Sequence, residues 1–273
     1  MVVKDEEREL ARCLDSVRGL ARELVLVDTG STDNTHGVAA LYGARIFPFD
    51  FRVPDFAAAR NFAISQASGS WILMLDADES LAPGGPALIE TLVALNANAG
   101  YFFERRNHSF DSPTLVTDYV VRLFPNRPSY RFRGRVHETI DASIVSSGGK
   151  LHKTGIRIEH NFACADRDRR GRNLWYLGIL QEEIAANPND LSRLDFLAAE
   201  YHQLRMFDEA TKVAEQIARL RPLDHRAHLF AGIYHLVYQS NPDRARTDFY
   251  RALELRPGFT EAESFLQLAD RMG

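Results

Sequence analysis

A chain of 273 residues, 45% of them hydrophobic, is long enough for two cores and too apolar to be disordered throughout. Its net charge of −4 gives no general attraction to nucleic acid, and its two cysteines, Cys13 and Cys164, lack the spacing of a disulfide framework or a structural zinc site. The charged start MVVKDEERE, and no apolar run near the about 20 residues that cross a bilayer, predict neither signal peptide nor membrane span and a cytoplasmic location.

The first predicted helix covers 6–17, with Leu10, Leu14 and Val17 on one face. The β-rich runs ELVLVD (23–28), ARIFPF (44–49), WILMLD (71–76) and GYFFER (100–105) then alternate with helical patterns at 34–42, 55–66 and 86–96. Such alternation predicts βαβ units and a mostly parallel sheet covered on both faces. Beyond residue 107 strands follow one another without helices: DYVVRLF (118–124), GRVHETI (134–140) and TGIRIEH (154–160), a mixed-sheet extension of the same domain. The charge run ADRDRRGRN (165–173) leads into continuous helix and divides the chain into 1–168 and 169–273. Its arginines could bind phosphate, but solvated linker charge is the simpler account.

The second part repeats. Pro188, Pro222 and Pro257 close helical stretches 34 and 35 residues apart, the tetratricopeptide period. Leu194, Leu197, Ala198, Tyr201, Ala210 and Ala214 fall where that motif packs large and small residues; Gly232, Ala245, Phe249 and Ala252 follow, with one extra residue near SNPD. Two units, a preceding half and a final helix at 260–272 make a short array, whose concave face offers Tyr201, His202, His228 and His235 as candidate contacts, packing between helices being the alternative for most of them.

Two stretches carry chemistry. ELVLVD ends in the turn DTGSTDNT (28–35), and in a doubly wound sheet ligands sit at the carboxyl ends of strands. Ser31, Thr32 or Asp33 would equally cap the next helix with no ligand. The second is WILMLDADES (71–80), an apolar strand running into Asp76, Asp78 and Glu79. If the backbone stays extended, Asp76 and Asp78 share one face. A hard divalent cation, Mn²⁺ or Mg²⁺, would relieve their repulsion and bridge them to substrate phosphates; solvated turn carboxylates are the alternative.

MVVKDEE, LDSV, ELVLVDTGSTDNT, DFAAARNFAI (55–64) and GSWILMLDADE stand in order over the first 80 residues and together resemble the family 2 glycosyltransferases. RLF (122–124) and RVHE (135–138) resemble a branch that includes lipopolysaccharide-core glucosyltransferases and bacteriocin peptide S-glycosyltransferases, the latter also carrying tetratricopeptide-type helices. The resemblance implies an α/β class: a Rossmann-like nucleotide-sugar-binding domain of the GT-A type, followed by an all-α tetratricopeptide domain. It further implies metal-dependent, inverting transfer from a nucleotide-sugar, by preference a uridine diphosphate sugar, to a glycan, lipid-linked sugar or peptide.

By the same resemblance Asp28 and Lys4 would contact the base or ribose, Arg60 and Asn61 would line the nucleotide pocket, Asp76 would approach ribose and metal, and Asp78 would bridge cation to diphosphate. Glu138 is the candidate base, since a carboxylate can take the acceptor's proton as the nucleophile attacks. Asp118, Asp111, or His137 oriented by Glu138 are its rivals. His160, ending TGIRIEH, would be a third metal ligand or a diphosphate donor, or else a hydrogen-bonded structural histidine. Relatives begin several residues earlier, with an apolar strand leading to the Lys4 position, so either the true start lies upstream or the first strand is unusually short and the base pocket weakened. Two other classes remain open: an adaptor that binds a partner peptide or a second subunit through the helices and has a vestigial sugar-nucleotide domain, and a nucleotidyltransferase, against which stands an N-terminal loop without glycine.

Overall fold

The computed structural model describes residues 1–109, 112–161 and 169–272; Asp111, Cys164 and Arg167 lie outside the described residues. The chain packs as two compact units, Met1–Arg167 and Asp168–Gly273.

In the first unit β1 (Val2–Val3), β2 (Val25–Asp28) and β3 (Arg45–Pro48) form a parallel sheet in that order, with α1 (Leu10–Ser16) and α2 (Thr35–Leu41) in the connections. Leu10 and Leu14 of α1 are buried as their spacing requires. The helix begins at Leu10 rather than residue 6 because the backbone before it is fastened elsewhere. The amides of Asp5, Glu6 and Glu7 donate to Ser31 Oγ, Thr35 Oγ1 and Asp33 Oδ2 at 2.9, 2.7 and 3.0 Å. In return the amides of Thr32 and Asn34 donate to Asp5 and Glu7 carboxylates at 2.6 and 2.9 Å. The acidic loop and the DTGSTDNT turn are thereby one interlocked surface.

The chain continues through α3 (Phe56–Gln66), β4 (Trp71–Leu73), β5 (Glu79–Leu81), α4 (Gly85–Leu95), β6 (Ala99–Ser109), β7 (Ser112–Pro125), α5 (Asp141–Ser146) and β8 (Lys150–Asn161). The five strands form a second sheet, ordered β4-β7-β6-β8-β5, in which the β6–β8 pairing is parallel and the other three are antiparallel. The expected mostly parallel sheet is therefore corrected: β6 and β7 are separated by two residues, too few for a crossover, and must pair antiparallel. Residues 134–140 are not a strand either. They form a loop closed by an antiparallel bridge between Arg133 and Thr139, with Gly134 at φ 97° and His137 at φ 48°, left-handed conformations that no strand accommodates.

α1 joins the two sheets, with Leu10 and Leu14 in a cluster with Val3, Leu26, Ala39 and Ala77, and Cys13 and Val17 in another with Leu75, Tyr101, Phe103 and Leu123. β1 is two residues long, and a cavity of about 890 Å³ lined by Met1, Val25, Ile64, Trp71 and Ile72 lies between β2 and β4.

The second unit is helical: α6 (Arg169–Ala186), α7 (Leu191–Gln203), α8 (Phe207–Leu220), α9 (His225–Ile233), a π-helical turn (Tyr234–Tyr238), α10 (Pro242–Leu255) and α11 (Thr260–Met272). It is a tetratricopeptide-like array in which each helix packs on its sequence neighbour. The repeat prolines each follow a helix end; Asp190 and Asp224 cap the helices after Pro188 and Pro222 by accepting from Arg193 and Arg226 amides, and Asn241 caps α10 by accepting from the Arg244 amide. The extra residue foreseen near SNPD is absorbed by the π-helical turn directly before it, the form an inserted residue takes inside a helix. Two of the candidate contacts of the concave face are interior: Tyr201 is buried, and His235 is buried between Asp248 (2.8 Å) and Glu215 (2.9 Å).

Gly232 lets α9 approach α10, since a Cβ there would stand 2.5 Å from Phe249 Cε1. Gly232→Ala should destabilise the helical unit by about 1–3 kcal/mol, read as a lower midpoint of the helical transition in urea. An unchanged midpoint would mean that the ring moves aside freely.

Candidate active site

The strand β4 ends at Leu73, and residues 76–79 form a turn closed by Glu79 N–H donating to Asp76 O at 3.1 Å. The extended backbone that would put Asp76 and Asp78 on one face is thus absent, and the two carboxylates part. Ala77 between them packs on Val3, Leu26 and Ala39, which sets the turn against the carboxyl ends of β1 and β2. The turn that starts at Asp28 is therefore its neighbour.

Asp76 faces arginines. Arg60 Nη2 lies 2.8 Å from Asp76 Oδ1, and Arg122 Nη2 lies 2.7 Å from Oδ2. Arg60 Nε also reaches Glu138 Oε1 at 2.5 Å, and Arg122 Nη2 reaches Glu79 Oε1 at 2.5 Å. Arg105 stands 3.6 Å from Glu79 and grips Asp118 with two nitrogens, at 2.9 and 2.6 Å. The result is a ladder of alternating charge, Glu138–Arg60–Asp76–Arg122–Glu79–Arg105–Asp118. Burial opposes ionisation of Asp76, but the Arg122 and Arg60 guanidiniums outweigh it and hold its carboxyl far below the usual range. Burial pushes the Glu79 carboxyl up despite Arg122, so a proton entering the ladder's centre goes to Glu79. Among the described residues Arg60 Nη1 and Arg122 Nε are buried without a hydrogen-bond partner.

Asp78 has a different partner: its Oδ2 is 3.0 Å from His160 Nε2. Arg12 of α1 steadies this part of the turn, donating to Asp78 O at 2.6 Å and Ser80 Oγ at 2.5 Å. Among the described residues no three His, Cys, Asp or Glu side chains gather as a metal cage. The pair nevertheless suits a cation. Two ligands at right angles, each about 2.1 Å from a small divalent cation, are about 3.0 Å apart; Mg²⁺ is ordinarily held by one or two carboxylates plus substrate phosphates, of which Asp78 offers one, and the imidazole nitrogen favours Mn²⁺ over Mg²⁺.

The remaining predicted residues divide. Asp28 is buried at the end of β2; burial opposes its ionisation, but hydrogen bonds from Ser31 and His36 hold its carboxyl below the usual range. Its oxygens accept from Ser31 Oγ at 2.5 Å and Ser31 N at 3.1 Å, with His36 Nε2 at 3.1 Å. Lys4 is exposed just past β1. Asn61 exchanges both ends of its amide with the Phe132 backbone, donating to O at 3.0 Å and accepting from N at 2.8 Å. Its amide thereby holds the segment at Phe132 that leads into the loop carrying Glu138. Asp118, the rival base, is the half-exposed outer end of the ladder.

Arg122, Arg105 and Asn107, whose Oδ1 lies 2.8 Å from His160 Nδ1, carry the site's geometry without a signal of their own in the sequence. The RLF block contained Arg122, and DADES contained Glu79, but nothing in local spacing said that they meet. Glu6 joins the same acidic surface: burial, then the charges of Asp78 and Asp76, push its carboxyl up to about 8.

Residues 1–155 match the family described as Glycosyl transferase family 2. The chain belongs to glycosyl transferase family 2. This glycosyltransferase is 33% identical over 199 residues to the lipopolysaccharide core biosynthesis glycosyltransferase LpsC of Rhizobium meliloti, covering 71% of this chain and 68% of that protein. It is 39% identical over 146 residues to a TPR repeat-containing protein of Synechococcus elongatus, covering 54% of this chain but only 36% of that longer protein. A solved MamA chain overlays 38% of this chain and 60% of its own, with 23% identity and a TM-score of 0.34.

Two outcomes follow for the glycosyltransferase. Arg122→Met strips the shared cation from Asp76 and buried Glu79 and should cost about 3–5 kcal/mol in urea unfolding of the first unit, with partial recovery when Glu79→Gln is added. Wild-type stability in Arg122→Met would show that the ladder carries no structural weight. Glu6, raised from 4.5 to about 8, keeps in the folded chain a proton that the unfolded chain releases earlier. Its contribution is complete below about 4.5 and is lost as pH rises through about 8. Glu6→Gln should therefore lose less Tm than the parent between pH 5 and pH 8.5; equal losses would remove Glu6 as the cause.

Proposed function

We propose that this glycosyltransferase is a metal-dependent inverting enzyme that takes a sugar from a nucleoside diphosphate donor, most suitably a uridine diphosphate sugar. The observation that carries the proposal is the Asp78–His160 pair, 3.0 Å apart, beside a turn that packs on the carboxyl ends of β1 and β2. Asp78 and His160 would hold Mn²⁺ or Mg²⁺, whose Lewis acidity offsets the charge of the departing diphosphate. The chain's own residues prepare the rest. Asp28 and Lys4 stand at the donor edge, as the neighbours of base and ribose. Asp76 is fixed by two arginines and offers its carboxylate as a rigid wall of the pocket, and the free Arg60 Nη1 is a donor suited to an anionic oxygen of the leaving group.

Glu138 serves as the base in this proposal. Arg60 takes its Oε1, orienting the side chain and leaving Oε2 for the acceptor's proton. Asp118 is held by two hydrogen bonds to Arg105 and is the less suitable group. The acceptor is a glycan, lipid-linked sugar or peptide. The role of LpsC in lipopolysaccharide core biosynthesis favours a saccharide, and the helical array offers a surface for a partner peptide or a second copy of the chain. The proposed location is the cytoplasm; no helix among the described residues is long and apolar enough to cross a membrane.

Donor hydrolysis across a panel of nucleotide-sugars with Mn²⁺ tests the assignment. Asp78→Ala should lose at least about 100-fold in activity, and Glu138→Gln should lose about 100-fold or more in transfer while retaining donor binding. An Asp78→Ala protein as active as the parent removes the metal role, and absence of any metal-dependent nucleotide binding in the parent favours the adaptor class.

A further inference from the structure

His160 lies in β8 directly opposite Asn107 of β6, and Asn107 lies opposite Val116 of β7. Asn107 is buried, with its Nδ2 3.0 Å from Val116 O and its Oδ1 2.8 Å from His160 Nδ1. A backbone carbonyl only accepts, so the amide nitrogen of Asn107 must face Val116 and its oxygen must face the histidine. That oxygen also only accepts. His160 Nδ1 therefore carries a hydrogen, and in the neutral ring the lone pair falls on Nε2, the atom 3.0 Å from Asp78 Oδ2. A lone pair opposed to a carboxylate is repulsive, and a shared cation converts the repulsion into two bonds.

From this geometry we infer that Asn107 is a positioning residue: through a hydrogen bond anchored on the Val116 carbonyl it fixes the tautomer and ring orientation of His160, so that Nε2 and Asp78 Oδ2 form a preset two-atom seat for a divalent cation. The inference rests on the metal-dependent function proposed above. Partners that orient a ligating histidine through its other nitrogen typically change metal affinity by about 10–100-fold when removed. The barrier to miscoordination is thus set one strand away from the metal, by a side chain that never touches it.

The test uses the full chain and Mn²⁺ alone, with free Mn²⁺ counted by electron paramagnetic resonance. In parallel, ¹⁵N-labelled histidine spectra of the metal-free protein are recorded, with His160 assigned by its loss in His160→Gln. The parent should bind Mn²⁺ and show His160 protonated on Nδ1 and bare on Nε2. Asn107→Leu should bind Mn²⁺ about 10–100-fold more weakly and shift the ring towards the Nε2–H form. Asn107→Asp keeps the shape and an acceptor but loses the donor to the Val116 carbonyl, and should bind Mn²⁺ more weakly than the parent, which a merely packing role would not predict. A parent that binds Mn²⁺ with His160 protonated on Nε2, or an Asn107→Leu protein with parental tautomer and affinity, overturns the role of Asn107 alone. A parent that takes up no Mn²⁺ overturns the metal-dependent function and the seat together.

Discussion

The first unit depends on the neutralisation of carboxylates that cannot be left alone. Asp76, Glu79 and Glu138 converge in a space where Glu79 is fully buried and the Glu138 side chain is only 11% exposed, and each is answered by a guanidinium within 2.8 Å. In a medium of low polarisability, removing one partner leaves a charge whose desolvation nothing offsets. This requirement explains why α3, which brings Arg60, and β7, which brings Arg122, meet at one turn. The same requirement gives both Asp76 oxygens arginine partners while Asp78 faces His160, so the acidic motif is divided between two sets of contacts.

The division is made by the turn at residues 76–79. One side of it is held by the ladder, the other by Arg12, and Ala77 anchors its middle in the core shared by β1, β2 and α2. Asp78 is thereby presented from a rigid mount rather than a mobile loop, opposite a histidine held by the strand β6. Under the proposed metal role, preset geometry of this kind would avoid reorganisation when charge develops during transfer.

Much of this was legible in the sequence, and the failures have physical causes. DTGSTDNT and DADES were recognisable because several polar residues sit together at strand ends, and the 34-residue proline period showed the helical array. The one-residue surplus near SNPD was legible too, though not the π-helical turn that takes it up. Arg105 and Arg122 were not, because an arginine on a strand has no local signature and their partners lie far along the chain. GRVHETI read as a strand from its β-branched residues, but pattern does not report the positive φ of Gly134 and His137 that bends it into a loop. The short strand Glu79–Leu81 was hidden for the opposite reason: its acidic start looked like a turn, and only pairing with β8 makes it extended.

The ladder also says something about how the domain reaches its native state. Arg122 finds Glu79 across 43 residues and Asp76 across 46, and Arg60 finds Glu138 across 78. Contacts of such long sequence separation form late, because the intervening chain must first be ordered. A nascent chain that has made β4 but not yet the loop around residue 138 holds Asp76 and Arg60 without their full set of counter-ions, and stays hydrated there. Drying of the site is consequently tied to the closing steps of folding, so that a molecule with an assembled catalytic centre is one whose first unit has already been completed.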